Sequence, residues 1–240
     1  MSSSTLAVAA ALGGGTLGAL TAWPAYRLSV EYGEPPRSAC GACAAGISSW
    51  VRVTRRCAAC AAPVGVRPVW TALAGGFGAG LLVWALRPSF LLLAALVLSV
   101  AGVLLGAIDV RVLRLPDPIV LGCFAGAVLL LTAEAAWSGH WSAYARAWLG
   151  AAAAFAGYLV FALLPGAPMG FGDVKLAGVL GLVLGYLGWP TLILGLFLAF
   201  LVNGPASVVA LVRRGRGALT PFGPAMLVGA LLAIVLTAPR

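Results

Sequence analysis

Long apolar segments, separated by shorter polar ones, run through the whole chain. Most of these segments approach the roughly 20 residues that a helix needs to cross a bilayer. Small residues recur inside them, as at Gly178, Gly181 and Gly185, and such residues let membrane helices approach closely. Eight segments can be drawn, covering residues 5–26, 69–86, 90–108, 118–136, 147–164, 174–187, 190–212 and 222–237. The pattern predicts an all-α fold, a polytopic membrane helix bundle of about eight spans.

The polar segments are short except for the one between the first two spans. We therefore divide the chain into a first transmembrane span (1–26), a soluble cysteine-rich loop (27–68) and a membrane-embedded domain (69–240). The chain begins M-S-S-S-T, without the basic residues that open a cleaved signal peptide. We therefore expect the first span to be retained.

The composition agrees with a membrane protein, because 62% of the residues are hydrophobic and only 9% are charged. Soluble domains carry about 25% charged residues. The net charge of +9 comes from basic residues spread over short loops, with no basic domain to hold a duplex. Membrane lipid is therefore an expected partner and nucleic acid is not.

Lys and Arg are distributed unequally between the two sides of the predicted bundle. Twelve fall on one side, namely Arg27, Arg37, Arg52, Arg55, Arg56, Arg67, Arg111, Arg114, Lys175, Arg213, Arg214 and Arg216. Three fall on the other side, namely Arg87, Arg146 and Arg240. Because basic residues collect on the cytoplasmic side, the imbalance places both termini outside. It also places the loop 27–68 and the aspartates Asp109, Asp117 and Asp173 at the cytoplasmic face.

Four cysteines form two C-x-x-C pairs in the soluble loop, Cys40 with Cys43 and Cys57 with Cys60. Four thiolates at this spacing can close a tetrahedral zinc site. Disulfide pairing is the alternative, but thiols stay reduced in the cytoplasm, where this loop is predicted to lie. We therefore expect a zinc knuckle with a structural role, because four cysteine ligands leave no open position for a substrate.

All three aspartates of the chain stand at the ends of apolar segments. A carboxylate near a bilayer is costly, so its presence indicates a function. Asp109 ends the third segment, and Asp173 precedes the sixth. Gly170 and Gly172 stand just before Asp173, where glycines permit positive φ angles and close approach of a substrate backbone. For both aspartates we favour catalysis over helix capping or pairing with nearby basic residues.

Two neighbouring residues are interpreted differently. Asp117 stands directly before Pro118, which is typical of an N-cap followed by proline at the first helical position. Lys175 follows Asp173 by two residues, so the two side chains would diverge on a helix. We therefore expect Lys175 to contact lipid phosphate or to hold the substrate.

Four features occur in a characteristic order. The double C-x-x-C loop follows the first span, D-x-x-x-x-x-L-P-D starts at Asp109, G-x-G-D-V-K-L starts at Gly170, and P-F-G-P opens the last span. Together they resemble the type IV prepilin peptidases, the bacterial leader peptidases of pilins and of type II secretion pseudopilins. The resemblance covers nearly the whole chain. It implies a multi-pass protein of the bacterial inner membrane whose catalytic dyad, Asp109 and Asp173, faces the cytoplasm and cleaves the basic leader of prepilins or pseudopilins.

Many members of this family also N-methylate the new N-terminus with S-adenosylmethionine, an activity linked to the cysteine loop. This chain departs from the family pattern there. The stretch between the cysteine pairs is shortened and lacks an N-I-P-like segment, and no acidic residue follows Cys60 in A-A-P-V-G-V-R-P-V-W. The resemblance therefore implies the endopeptidase, and S-adenosylmethionine is expected only if methylation is retained.

Two other functions remain open from the sequence. A proton- or ion-coupled membrane transporter also uses intramembrane carboxylates, although no inverted repeat is evident and the aspartates cluster at one face. A G-x-G-D protease of the presenilin or signal-peptide-peptidase type would place the partner aspartate inside a span, with no cysteine loop before it.

Overall fold

The computed structural model describes residues 3–52, 56–164, 169–215 and 219–238. Within these ranges the chain forms eight α-helices and no strand. They are α1 (Ser3–Leu28), α2 (Pro68–Ala85), α3 (Phe90–Val112), α4 (Asp117–Ser138), α5 (Trp141–Leu163), α6 (Phe171–Leu187), α7 (Trp189–Arg214) and α8 (Gly223–Thr237). The predicted all-α bundle is confirmed. Three basic residues used for the sidedness prediction, Arg55, Arg216 and Arg240, lie outside the described residues.

Six of the described helices, α1 to α5 and α7, are long and apolar enough to cross a membrane. The chain is therefore an integral membrane protein. The other two helices are shorter, with 17 residues in α6 and 15 in α8. Eight spans were predicted, but α6 and α8 fall below the roughly 20 residues of a full crossing.

α6 is enclosed by its neighbours, since thirteen of its 17 residues are buried. A helix that is apolar on every side suits this central position. Glycines allow α5 to pack closely against it, because a methyl group on Gly181 would stand only 2.6 Å from the carbonyl oxygen of Gly150. The Arg146 side chain on α5 donates to the carbonyl oxygens of Gly185 (2.8 Å) and Tyr186 (2.7 Å). These two contacts satisfy carbonyls at the C-terminal end of α6 and fix its position.

Two helices begin at least three residues earlier than the hydrophobic pattern predicts. α5 begins at Trp141 rather than at 147. The hydroxyl of Thr132 on α4 donates to the Tyr144 hydroxyl at 2.8 Å, and Arg146 donates to the Gly185 carbonyl oxygen of α6 at 2.8 Å. Contacts with neighbouring helices therefore extend α5 through a stretch that the hydrophobic pattern left out. α6 begins at Phe171 rather than at 174. Asp173 is therefore part of the first helical turn and does not precede the helix.

The cysteine loop folds onto the C-terminal end of α1. The indole nitrogen of Trp23 donates to the Ser49 carbonyl oxygen at 2.9 Å, and the Tyr26 hydroxyl accepts the Gly41 N–H at 3.1 Å. The Arg27 guanidinium lies over the Trp50 ring, 3.8 Å from its centroid. Contacts of this kind fix the soluble loop against the membrane domain.

Candidate active site and metal centre

Asp109 lies in the last turn of α3 and is only 4% exposed. Its Oδ2 atom accepts the backbone N–H of Gly223, the first residue of α8, at 2.9 Å. The first N–H groups of a helix have no partner within that helix and favour an anion. The start of α8 therefore holds the carboxylate at the end of α3.

Asp173 is the third residue of α6 and is 7% exposed. Its Oδ2 atom accepts the backbone N–H of Gly170 at 3.3 Å, which is the return contact of a capping box. Its Oδ1 atom is buried and has no hydrogen-bond partner among the described residues. A buried polar atom without a partner is costly, and in a native protein it indicates a functional site.

Both aspartates line one cavity of about 510 Å³. The cavity lies where the end of α3, the start of α6 and the segment after α1 meet. It is lined by Glu31, Tyr32, Asp109, Val112, Leu113, Arg114, Leu115, Asp117, Gly170, Phe171, Gly172, Asp173 and Lys175. The fold therefore brings together two carboxylates that are far apart in sequence and gives them space for water and a substrate.

Asp117 and Lys175 form an ion pair at the edge of this cavity, with Nζ and Oδ1 2.7 Å apart. The predicted N-cap role of Asp117 is wrong. Pro116 occupies the N-cap position of α4, and no side chain caps that helix end. Lys175 does diverge from Asp173 as expected, but it turns toward the carboxylate of Asp117 rather than standing free for lipid. The two side chains tie the start of α4 to α6.

The two glycines before Asp173 have ordinary backbone angles, and of the two only Gly172 is required by its small size. Gly170 has φ of −77°, and Gly172 is not among the residues with positive φ in the described chain. The expected positive φ is therefore not found. Gly172 makes a close contact within the protein, where a methyl group would stand 3.0 Å from Cβ of Leu115. That contact packs the first turn of α6 against the segment that follows Asp109. The expected approach of a substrate backbone stays a prediction.

Sequence reasoning assigned no role to two residues that the structure brings to the site. Gly223 was noted only as part of P-F-G-P, and its position before a proline at the start of a span was the available signal. Glu31 carried no signal beyond its charge. Glu31 reaches the cavity and Gly223 reaches the Asp109 carboxylate through the packing of separate segments, which no local pattern reveals.

The four loop cysteines converge on one point. Their Sγ atoms all lie within 4.8 Å of one another, with Cys40 and Cys60 4.0 Å apart and Cys43 and Cys57 3.7 Å apart. A disulfide would require about 2.05 Å. A tetrahedron with Zn–S bonds of about 2.3 Å has S···S edges of about 3.8 Å. The donor set therefore fits a tetrahedral metal ion and not a disulfide pair.

The two cysteine pairs have the same local geometry. In the first, the Cys40 N–H donates to the Ala45 carbonyl oxygen (2.9 Å) and Ala44 adopts φ of 57°. In the second, the Cys57 N–H donates to the Ala62 carbonyl oxygen (3.0 Å) and Ala61 adopts φ of 56°. The backbone N–H groups of Cys60 and Ala59 lower the pKa of the Cys57 thiol. Two matching turns that bring four sulfur atoms together are suited to holding a cation.

Residues 96–208, which include both cavity aspartates, match the model of the type IV leader peptidase family. The curated relatives are named prepilin leader peptidase/N-methyltransferase. The protein of Aeromonas hydrophila is 31% identical over 88% of this chain and 74% of its own length, and that of Neisseria gonorrhoeae is 30% identical over 80% and 68%. The protein of Burkholderia pseudomallei is 31% identical over 81% of this chain, which spans only 65% of that relative's length. No solved structure gives a significant match.

Proposed function

Because the chain belongs to the type IV leader peptidase family, we propose that it is a membrane aspartyl endopeptidase that removes the basic leader from prepilins or pseudopilins. Cleavage would occur at the cytoplasmic face of the bacterial inner membrane, so that the apolar helix of the substrate stays in the bilayer. The observation that carries the proposal is one cavity lined by two buried carboxylates, Asp109 and Asp173, from separate helices.

In the proposed reaction the two aspartates share one proton. The ionised carboxylate takes a proton from water while the water oxygen attacks the carbonyl carbon of the scissile bond. The protonated carboxyl group donates its proton to the carbonyl oxygen, which gives a tetrahedral diol. The roles then reverse, so that the C–N bond breaks and the leaving amine receives a proton. Since such a pair titrates as a unit, neither residue is assigned the proton.

Backbone contacts hold both carboxylates in place for this reaction. The N–H groups of Gly223 and Gly170 each hold one oxygen of an aspartate, at 2.9 Å and 3.3 Å. The remaining Asp173 oxygen, Oδ1, is buried and has no partner in the described chain. In the proposed reaction it would contact the attacking water or the substrate carbonyl once the substrate is bound. Carboxylates fixed in this way need little rearrangement when the reaction begins. Gly170 and Gly172 are proposed to position the substrate strand beside them.

We also propose that the four loop cysteines bind one structural zinc ion. Four thiolates would complete its coordination, so no step of the reaction would pass through the metal. When bound, the ion would stabilise the loop by joining its two turns. The Cys40 and Cys57 side chains are buried against Trp23 and Tyr26 of α1, so the loop and the first helix would be stabilised together.

N-methylation is proposed only as a second activity. The names of the relatives include N-methyltransferase, but this chain covers 65% to 74% of the length of the three relatives named above. The shortened stretch between its cysteine pairs is the segment where it departs from the family. S-adenosylmethionine would be needed only for that second activity.

The test is incubation of the purified protein with a model prepilin, followed by mass analysis of both products. A mature product lacking the leader supports the endopeptidase, and a further gain of one methyl mass with S-adenosylmethionine supports methylation. An intact prepilin would contradict the proposal. Proton or ion flux in vesicles without cleavage would instead favour a transporter, which no contact in the described chain supports at present.

A further inference from the structure

Acidic residues are concentrated at the cavity, although the chain as a whole is basic. The chain has six acidic residues and a net charge of +9. Four of the six line the cavity, namely Glu31, Asp109, Asp117 and Asp173. One of these four, Asp173, also has a buried Oδ1 atom with no hydrogen-bond partner in the described ranges. The cavity is therefore built to receive a ligand that carries proton donors or positive charge.

Among the four acidic residues that line the cavity, Glu31 has no role in the proposed reaction and no ion-pair partner in the described chain. Asp109 and Asp173 belong to the proposed catalytic pair, and Asp117 is neutralised by Lys175 at 2.7 Å. The Glu31 side chain is exposed, and the ion pairs found among the described residues do not include it. Its carboxylate is therefore the acidic group at the cavity that remains available to a cation.

The backbone around Glu31 is fixed against the segment that follows the first catalytic aspartate. The Nη1 atom of Arg114 donates to the carbonyl oxygens of Glu31 (2.7 Å) and Val30 (3.3 Å). The same guanidinium lies over the Tyr32 ring, 5.0 Å from its centroid. The Nη1 contacts and the ring contact of Arg114 hold residues 30–32 at the cavity. Arg114 does not form an ion pair with the Glu31 carboxylate.

We propose that Glu31 receives a lysine or arginine side chain of the substrate leader and so sets the position of the leader at the catalytic cavity. The inference rests on the proposed function, which supplies a basic leader as the substrate. It also explains how a chain of net charge +9 accepts such a leader, because the acidic residues gather where the leader must enter. Complementary charge of this kind favours encounter and the correct register.

The test compares Glu31→Gln with Glu34→Gln in the full-length protein, using a model prepilin with a basic leader. Glu34 is the matched control, because it is exposed on the same loop but does not line the cavity. Glu31→Gln should raise KM by up to about fivefold with kcat nearly unchanged, since an exposed ion pair contributes about 1 kcal/mol or less to binding. The difference should vanish near 1 M NaCl, where the Debye length falls to about 3 Å. Glu34→Gln should behave as the wild-type protein does.

A charge exchange provides the second arm. Glu31→Lys should cleave the basic-leader substrate poorly and should recover activity on a leader whose lysines are replaced by glutamate. Equal KM values for Glu31→Gln and wild type, an equal loss in Glu34→Gln, or no recovery in the exchange would each overturn the role of Glu31. These results leave wild-type cleavage intact, whereas failure of the wild-type protein to cleave any prepilin would overturn the proposed function and the inference together.

Discussion

The assignment of the catalytic pair leads to a direct prediction about three aspartates at one cavity. Asp109→Asn and Asp173→Asn should each abolish prepilin cleavage, while Asp117→Asn should retain at least about a fifth of it. Asparagine keeps the shape of the side chain and an oxygen that can accept the Gly223 or Gly170 N–H, but it cannot take a proton from water. The loss would therefore report on chemistry and not on folding.

The expected losses of activity differ greatly between the catalytic pair and Asp117. Removal of a member of a proton-sharing pair should cost at least about four orders of magnitude in kcat, by analogy with other catalytic groups that act as a unit. The double variant should be no worse than either single variant, because the second residue has no function without the first. The side chains of Lys175 and Asp117 are 35% and 47% exposed, which places their contact among surface ion pairs. Breaking such a pair costs about 0.2–1 kcal/mol, so activity should fall by about fivefold or less.

The assay is the time course of prepilin cleavage, at equal amounts of membrane-inserted protein for each variant. Normal cleavage by Asp109→Asn together with an inactive Asp117→Asn would move the catalytic role to Asp117. Cleavage by all three variants would show that the protein is not an aspartyl protease.

Three further outcomes are expected. Metal analysis should find about one zinc per chain, and Cys57→Ser should lower it; metal-free protein of full stability would contradict the site. An impermeant thiol reagent on intact cells should label a cysteine at His140 but not one at Ser38, and the reverse pattern would reject the topology. Gly223→Ala should reduce kcat about tenfold or more, since its methyl group would stand 3.0 Å from a catalytic carboxylate oxygen, and displacement of about 1 Å costs up to about 100-fold. The control Gly122→Ala, with open space around it, should be neutral in the same cleavage assay, and equal losses would argue against a specific effect.

Hydrophobic pattern alone located the elements well, because each segment is long, apolar and bounded by polar residues. The same pattern could not place their first turns. Asp173 interrupts the apolar run in sequence, yet in the fold it is inside α6, since its carboxylate accepts the Gly170 N–H and stabilises the helix start. A boundary drawn after the polar residue misses the first turn of the helix, Phe171–Asp173, whose aspartate side chain folds back to the Gly170 N–H.

The predicted site depended on local sequence, and its errors are non-local. Asp117 looks like an N-cap when only Pro118 is considered, but its ion-pair partner, Lys175, lies on another helix. The contact between Gly223 and Asp109 joins residues 114 positions apart. Such contacts depend on how helices are arranged, which composition and periodicity do not determine. The cysteine cluster was predictable because its two turns are local and repeat the same spacing.

The length of α6 bears on how water reaches the buried carboxylate pair. At about 1.5 Å per residue, its 17 residues extend about 26 Å, less than the roughly 30 Å of the hydrocarbon core. Its C-terminal end is held by Arg146 of α5, and its first turn carries Asp173. A helix of this length cannot reach both faces of the core, and the 510 Å³ cavity lies at the end that carries Asp173. We infer that this space admits water to the two aspartates within an otherwise apolar bundle.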